Sequence, residues 1–302
     1  METYSLRRVP QLSTFDGAGL PLTLRRWGDA DKPLVVMLHG WMDAAATFQF
    51  LVDALPDDLF QRYSWLALDW RGFGRSGRSP RSYFFPDYLA DLDALLAAYS
   101  PSQPVVLLGH SMGGMVAGLY AGVRPERVSQ LISLEGFGLP DSDPTQAPKR
   151  LQQWLDGLRA PPVHHPMVDQ DALVKKLQKQ HPRLMADQAA YLAAELGEPT
   201  AGGAYALLAD PAHRLVNPVL YRLAEAEACW RNTQAPVLWL YGSDRWVFDF
   251  LKEDDTAFAW RCRHVPQLQC VEIQDAGHML HWEQPQHVAL ALQHFLESSR
   301  GG

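Results

Sequence analysis

Ser111 has the surroundings that most clearly indicate chemistry in this chain. It lies at the centre of the sequence GHSMG, residues 109–113, after the apolar run of residues 105–108 and before a stretch compatible with a helix. This pattern predicts a strand, a sharp turn and a helix, with the serine at the apex of the turn. Glycine suits positions 109 and 113 because a side chain there would clash with the flanking strand or helix. The hydroxyl would stand at the N-terminal end of a helix, where negative charge is favoured, so the pattern indicates a nucleophile.

A nucleophilic serine needs a general base and an acid that orients the base. His278 is the candidate base because it lies on the loop between the last predicted strand and the closing helix, whereas the rivals His281 and His287 lie further along. Asp244 is the candidate acid, since the order Ser, Asp, His along the chain is the one expected for this type of sheet. Glu135, at the end of the preceding predicted strand, is the possible alternative acid.

The reaction of such a serine also needs an oxyanion hole, made of two backbone N–H groups that receive the developing negative charge. Met112 follows the nucleophile and is expected to supply one of them. Trp41, on the loop after the apolar run of residues 33–38, is expected to supply the other, and Gly40 allows that loop to pass close to the serine. His39 is interpreted as a residue that holds the loop by hydrogen bonds.

Segments with strand and helix patterns alternate through most of the chain, which is the arrangement that would position these residues. Two β-like runs around the turn signal at residues 16–19 predict an antiparallel hairpin at a sheet edge. The apolar strands that follow alternate with helices, which indicates a parallel sheet. In one of these helices, Asp91 and Asp93 are expected to face solvent.

The alternation stops in the middle of the chain, where proline and helical periodicity dominate and no clear strand is found. We therefore expect an α/β core formed by residues 1–138 and 232–302. Residues 139–231 are expected to form a helical cap, or lid, inserted in that core.

The composition is that of an ordinary globular protein, with 302 residues, 47% hydrophobic and 20% charged residues, and a formal net charge of -7. No cluster of Lys and Arg is long enough to bind a phosphate backbone, so a nucleic acid partner is not expected. No apolar stretch has the length of a signal peptide or a membrane span. We expect a cytoplasmic protein, with its three cysteines as reduced thiols.

Metal and cofactor dependence are not expected from the sequence. The adjacent pair His164-His165 has no carboxylate or cysteine at the spacing of metal ligands. The glycine-containing run at residues 71–77 follows a strand but lacks the fingerprint of a nucleotide-binding loop.

Five motifs follow one another along the predicted core: HGW at 39–41, DWRGFGRS at 69–76, GHSMGG at 109–114, GSD at 242–244 and GH at 277–278. In these motifs and their order the chain resembles the α/β-hydrolase superfamily over the whole core. The resemblance implies an α/β-hydrolase fold: a mostly parallel sheet of about eight strands flanked by helices, with an inserted helical lid. Residues 39–56 and the lid run at 209–218 are most similar to the serine-hydrolase-like branch. In family members the second motif is a turn beside the site, so Arg71 and Ser76 are interpreted as structural.

The identity of the nucleophile narrows the expected chemistry. Relatives that open epoxides or displace halide have aspartate at this turn, whereas serine implies acyl transfer to water through an acyl-enzyme. The leading expectation is a carboxylic ester hydrolase that uses Ser111, Asp244 and His278 on a small, partly apolar acyl substrate. A carbon–carbon bond hydrolase, a thioesterase or a lactonase would use the same triad, and a non-catalytic ligand-binding protein is the third alternative. The sequence leaves a monomer and a homodimer equally open.

Overall fold

An eight-stranded sheet forms the centre of the protein. The computed structural model describes residues 3–80 and 82–298. The strands are β1 (Gln11–Gly17), β2 (Leu20–Trp27), β3 (Leu34–Leu38), β4 (Ser64–Leu68), β5 (Val105–His110), β6 (Val128–Leu134), β7 (Gly197–Pro199), β8 (Tyr205–Leu207), β9 (Val237–Gly242) and β10 (Leu268–Ile273).

The order of strands in the main sheet is β1-β2-β4-β3-β5-β6-β9-β10, while β7 and β8 form a separate hairpin. The pairs β1–β2 and β2–β4 are antiparallel, and all other pairs in the main sheet are parallel. The predicted fold class, a mostly parallel sheet of about eight strands with an antiparallel hairpin at one edge, is therefore confirmed.

The central strands are buried on both faces, as is usual for parallel strands covered by helices. Every residue of β3, β4 and β5 is buried. Alternation along β3 directs Val36 and Leu38 into the apolar core on one side of the sheet, and Val35 and Met37 into the core on the other side. The edge strand β1 is mostly exposed. This arrangement brings the carboxyl ends of the central strands to one edge, where loops can converge on a site.

Helices cover both faces of the sheet and continue beyond it. Their bounds are α1 (Gln49–Ala54), α2 (Asp57–Arg62), α3 (Phe85–Tyr99), α4 (Met112–Val123), α5 (Ala147–Arg159), α6 (Gln170–Gln180), α7 (Ala186–Leu196), α8 (Leu223–Arg231), α9 (Trp246–Leu251), α10 (Asp255–Cys262), α11 (Leu280–Glu283) and α12 (Pro285–Ser298).

The segment predicted as a helical cap, residues 139–231, contains the helices α5 to α8 and also the short hairpin β7–β8. The hairpin was not predicted, because its two strands have three residues each and are too short for an alternating pattern. The helix α8 packs closely on α4, since a Cβ atom built on Gly122 would overlap the carbonyl oxygen of Cys229. The division into core and cap stays a prediction.

Within residues 3–80 and 82–298, no helix combines the length and apolar character needed to cross a membrane.

Candidate active site

Ser111 lies in the tight turn between β5 and α4. Its backbone has φ 51° and ψ -116°, a conformation that non-glycine residues rarely adopt. The turn is held by a hydrogen bond from the Ser111 amide to the Leu134 carbonyl oxygen, at 2.8 Å. A Cβ atom on Gly109 would overlap the backbone of Gly113, and one on Gly113 would overlap the carbonyl oxygen of Leu38. Both glycines are therefore required by the close approach of strand and helix.

His278 lies on the loop between β10 and α11, with its Nε2 atom 3.1 Å from the Ser111 Oγ atom. The ring packs against Trp246, with the ring centroids 3.6 Å apart. Burial, together with the nearby His181, lowers the pKa of His278 to about 3. The imidazole is therefore neutral at pH 7 and can accept a proton at Nε2, which is the requirement for a general base.

Glu135 follows the last residue of β6 and is buried beside the other ring nitrogen of His278. Its Oε2 atom lies 3.6 Å from the His278 Nδ1 atom, and its Oε1 atom accepts a hydrogen bond from the Gly242 amide at 2.6 Å. Among residues 3–80 and 82–298, neither Glu135 Oε2 nor His278 Nδ1 has another hydrogen-bond partner. Burial raises the pKa of Glu135 to about 8, so the group is mainly neutral at pH 7 beside a neutral imidazole. An imidazolium formed at His278 would favour the ionised form of Glu135.

Asp244 lies on the loop after β9, and its side chain faces a different partner. Its carboxylate accepts two hydrogen bonds from the Arg183 guanidinium, at 2.6 and 3.0 Å, and its side chain is 43% exposed. This ion pair holds the pKa of Asp244 below its usual value. In the part of the chain that the structure describes, Asp244 makes no hydrogen bond or ion pair with His278. The sequence ranked Asp244 above Glu135, and in the structure Asp244 pairs with Arg183 whereas Glu135 lies beside His278 Nδ1.

The predicted oxyanion-hole residues flank the serine. Met112 is the first residue of α4, a position whose N–H has no acceptor within the helix. The loop that carries Trp41 passes beside the nucleophile, since a Cβ atom on Gly40 would lie 3.3 Å from the Ser111 Cβ atom. The Trp41 indole is half-exposed and its N–H points to the His213 carbonyl oxygen, at 3.4 Å. The use of these two amides stays a prediction.

The neighbouring loops are fixed by buried hydrogen bonds. His39 is fully buried, and its Nε2 atom accepts a hydrogen bond from the Trp70 amide at 3.0 Å. The Ser76 hydroxyl donates to the Asp69 carbonyl oxygen at 2.6 Å. The side chains of His39 and Ser76 thus make contacts that brace the loops.

Arg71 has its main partner on α3. Its guanidinium makes two hydrogen bonds of 2.7 Å each to the carboxylate of Asp91, which is fully buried. The expectation that Asp91 faces solvent is therefore wrong, because the aspartate is needed to pair with this buried arginine. Asp93 is exposed, as expected, and accepts a hydrogen bond from the Tyr120 hydroxyl at 2.8 Å.

A second group of polar side chains lies behind the serine turn. The ligand atoms of Asp43, His110 and His281 lie within 4.8 Å of one another, and all three residues are buried. Reading the sequence did not connect them, because each lies in a different segment and none shows the spacing of a metal motif. They are the residues of the described chain that could together hold a metal ion.

Similarity to known proteins agrees with this geometry. Residues 33–285 match the family described as the alpha/beta hydrolase fold. The chain belongs to this family. The predicted resemblance is thereby confirmed, and it includes similarity to serine hydrolase-like proteins.

Two relatives and one solved structure of this hydrolase family illustrate the similarity. The serine hydrolase-like protein of Danio rerio is 26% identical over 283 residues, which cover 90% of this chain and 83% of that protein. The serine hydrolase-like protein of Homo sapiens is 34% identical over 116 residues, which cover 38% of this chain and 55% of that protein. The solved thioesterase domain from the curacin biosynthetic pathway is similar with a TM-score of 0.81 and 25% identity, and the match covers 94% of this chain and 99% of that one.

Proposed function

We propose that the protein is a serine hydrolase that cleaves a carboxylic ester, or a similar acyl compound, through an acyl-enzyme on Ser111. The observation that carries this proposal is the 3.1 Å distance between His278 Nε2 and Ser111 Oγ, at a strained turn on the N-terminal end of α4. A neutral imidazole at hydrogen-bond distance from a serine hydroxyl is the arrangement that activates it for attack on a carbonyl.

In the first half of the reaction, the Ser111 Oγ atom forms a bond to the carbonyl carbon while His278 Nε2 takes the hydroxyl proton. The amides of Trp41 and Met112 receive the oxyanion. The tetrahedral intermediate then expels the alcohol, which takes its proton from His278. In the second half, water replaces the serine as the attacking group, and its proton passes through His278 to the leaving Ser111 oxygen.

We propose Glu135, in place of Asp244, as the acid that orients His278. A carboxylate at Nδ1 keeps the ring proton on that nitrogen, so that Nε2 is free to accept from Ser111. The 3.6 Å approach of Glu135 Oε2 to Nδ1 supports this role. The bidentate pairing of Asp244 with Arg183 supports a different role for the aspartate, in which it links the α9 end of the core to the segment between α6 and α7.

The proposed substrate has a partly apolar acyl or leaving group. A cavity of about 580 Å³ lies between α4 and the chain around α8, which is within the size range of small-molecule sites. Its lining contains neither Ser111 nor His278; it begins at Met115, one turn of α4 beyond the nucleophile, and continues past Leu119 to Trp230, so a substrate in it would have to extend to the serine. Arg150 and Arg222 supply cationic groups to the same lining.

Thioester hydrolysis is the second candidate, since the similar solved structure is a thioesterase domain. The same attack on a carbonyl would serve, with a thiol in place of the alcohol as leaving group. Carbon–carbon bond and lactone hydrolysis would also use these groups.

A panel of p-nitrophenyl esters, acyl thioesters and lactones, assayed with wild-type protein and Ser111→Ala, tests the proposal. We expect turnover of at least one acyl class by the wild type and none by the variant. Equal turnover by a folded Ser111→Ala protein would overturn the proposal. Circular dichroism of the variant provides the control for folding.

A further inference from the structure

Three buried side chains surround one point directly behind the catalytic groups. They are the carboxylate of Asp43 and the imidazoles of His110 and His281, which have at most 4% of their surface exposed. The ligand atoms of the three residues all lie within 4.8 Å of one another. We call these residues the Asp-His-His cluster.

The cluster has more polar atoms than partners. Within the described part of the chain, neither ring nitrogen of His281 has a hydrogen-bond partner, although the residue is completely buried. The Nδ1 atom of His110 likewise has no hydrogen-bond partner among these residues and lies 3.9 Å from Asp43 Oδ2. A neutral imidazole has one N–H donor and one acceptor nitrogen. Burying these two atoms without hydrogen-bond partners costs free energy, because water would satisfy them in the unfolded chain. Two imidazoles and one carboxylate thus face a shared, unsatisfied space.

The remaining polar atoms of the cluster are occupied, which fixes its orientation. His110 Nε2 lies 2.9 Å from the carbonyl oxygen of His278. Asp43 Oδ1 accepts from the Ala44 amide at 2.9 Å, and Asp43 Oδ2 accepts from the Thr47 hydroxyl at 3.1 Å. The hydrogen bond at His110 Nε2 leaves its Nδ1 atom, 3.9 Å from Asp43 Oδ2, as the atom of this imidazole that can bind an ion.

We propose that Asp43, His110 and His281 bind a divalent transition metal ion of the zinc type. Two neutral imidazoles and a carboxylate are a ligand set that Zn²⁺ accepts in tetrahedral sites. Bonds of about 2.0–2.1 Å would place the ligand atoms about 3.4 Å apart. The cluster therefore needs only a contraction of side-chain positions to enclose the ion.

Each residue of the cluster is close in sequence to one of the proposed catalytic residues. Asp43 is two residues from Trp41, His110 directly precedes Ser111, and His281 is three residues beyond His278. A metal ion there would tie the three loops together from behind. The ion would hold the proposed catalytic residues in position without contacting the substrate. This effect on catalysis rests on the proposed function, whereas the binding of the ion does not.

The test uses the full-length, untagged protein with Zn²⁺ and Co²⁺ as probes. Cys262 and Cys270 are first replaced by serine, because their sulfur atoms lie 3.9 Å apart and thiol pairs also bind these metals. We expect about one Zn²⁺ per chain after dialysis, measured by plasma mass spectrometry. We also expect tetrahedral Co²⁺ absorption bands and a decrease in Tm when the ion is removed with a chelator.

Variants separate the cluster from surface binding. His281→Phe fills the same apolar position beside Phe48 but has no ligand atom, and Asp43→Asn keeps the side-chain shape without the charge. Both are expected to lose the ion and the effect of chelator on Tm, whereas His287→Ala, at an exposed position on α12, keeps them. No retained metal in the parent protein, or equal metal in the parent and a folded His281→Phe variant, would overturn the proposal. The metal measurement does not depend on the activity of Ser111, because Ser111→Ala is expected to lose activity and to keep the ion. The metal proposal can therefore fail while the proposed hydrolase function holds, and the reverse is also possible.

Discussion

Replacing Glu135 with glutamine should remove most of the activity without unfolding the protein. The substitution keeps the shape and leaves an acceptor for the Gly242 amide, which now donates to Glu135 Oε1. At a pH above the pKa of Glu135, about 8, what it removes is the negative charge 3.6 Å from His278 Nδ1, which would stabilise the imidazolium formed during attack. At an effective dielectric constant of about 20, two unit charges at that separation attract by roughly 4–5 kcal/mol. Since 1.36 kcal/mol corresponds to tenfold in rate, kcat/KM should decrease by about 10³-fold.

The matched control is Asp244→Asn, which removes a carboxylate from the competing position. Because this side chain is 43% exposed and pairs with Arg183, we expect kcat/KM to stay within about fivefold of wild type. Both variants and the wild type are assayed on the ester or thioester found in the substrate panel, with circular dichroism and Tm as checks on folding. A loss of about 10³-fold in Asp244→Asn, with Glu135→Gln near wild type, would refute the reasoning and restore the aspartate as the acid.

Three other predictions concern the pH dependence of activity and the stability of the fold. Activity should rise with pH through the pKa of Glu135, about 8. Below that pH, protonated Glu135 would donate a hydrogen bond to His278 Nδ1, so the single proton of the neutral ring would lie on Nε2 and this atom could not accept from Ser111. A pH profile of kcat/KM checks this, and a profile with no rise between about pH 6 and 9 contradicts it. Gly113→Ala should lower the free energy of unfolding in urea by more than about 3 kcal/mol, because the Cβ atom of the alanine would overlap β3. A variant as stable as wild type would show that the turn can accommodate the methyl group. Asp91→Asn should cost about 1.5–3 kcal/mol in the same assay, because it removes the nearer of the two carboxylates beside the buried Arg71 guanidinium and leaves Asp87, 3.5 Å away and 40% exposed, as the remaining counter-charge. A loss below about 1 kcal/mol would contradict this.

The nucleophile turn could be predicted because its determinants are local. The strand, the two glycines and the helix around Ser111 are contiguous in sequence, and steric overlap at Gly109 and Gly113 explains their presence. His278 could be predicted for a similar reason, since it follows the last strand of a sheet whose order is fixed by the alternation of elements.

The sequence ranked Asp244 above Glu135 by the order of residues along the chain, but it could not show which of the two carboxyl groups faces the histidine. Glu135 and Asp244 follow neighbouring strands, β6 and β9, in the parallel sheet. What distinguishes them is Arg183, a residue from the segment between α6 and α7, which pairs with the aspartate across 61 positions of sequence. A glutamate at the end of an apolar strand run was the available signal, because burying such a residue requires a partner.

Asp91 was assigned to the wrong side of its helix for a related reason. Helical periodicity predicts that charged residues face solvent, but a buried arginine 20 positions earlier requires a carboxylate inside. The Asp-His-His cluster could not be predicted from the sequence either. Its members lie on the loop after β3, at the end of β5 and in α11, and they meet only when these segments converge at one edge of the sheet.

Trapping the intermediate shows whether an acyl-enzyme forms on Ser111. The protein is mixed with a slowly hydrolysed activated ester, quenched in acid, digested and analysed by tandem mass spectrometry. We expect one acyl group on the peptide that contains Ser111 and no such adduct in Ser111→Ala. The adduct should form as fast as the first equivalent of p-nitrophenol is released. Turnover by the wild type without an adduct on Ser111, or with the acyl group on another residue whose loss abolishes activity, would contradict it.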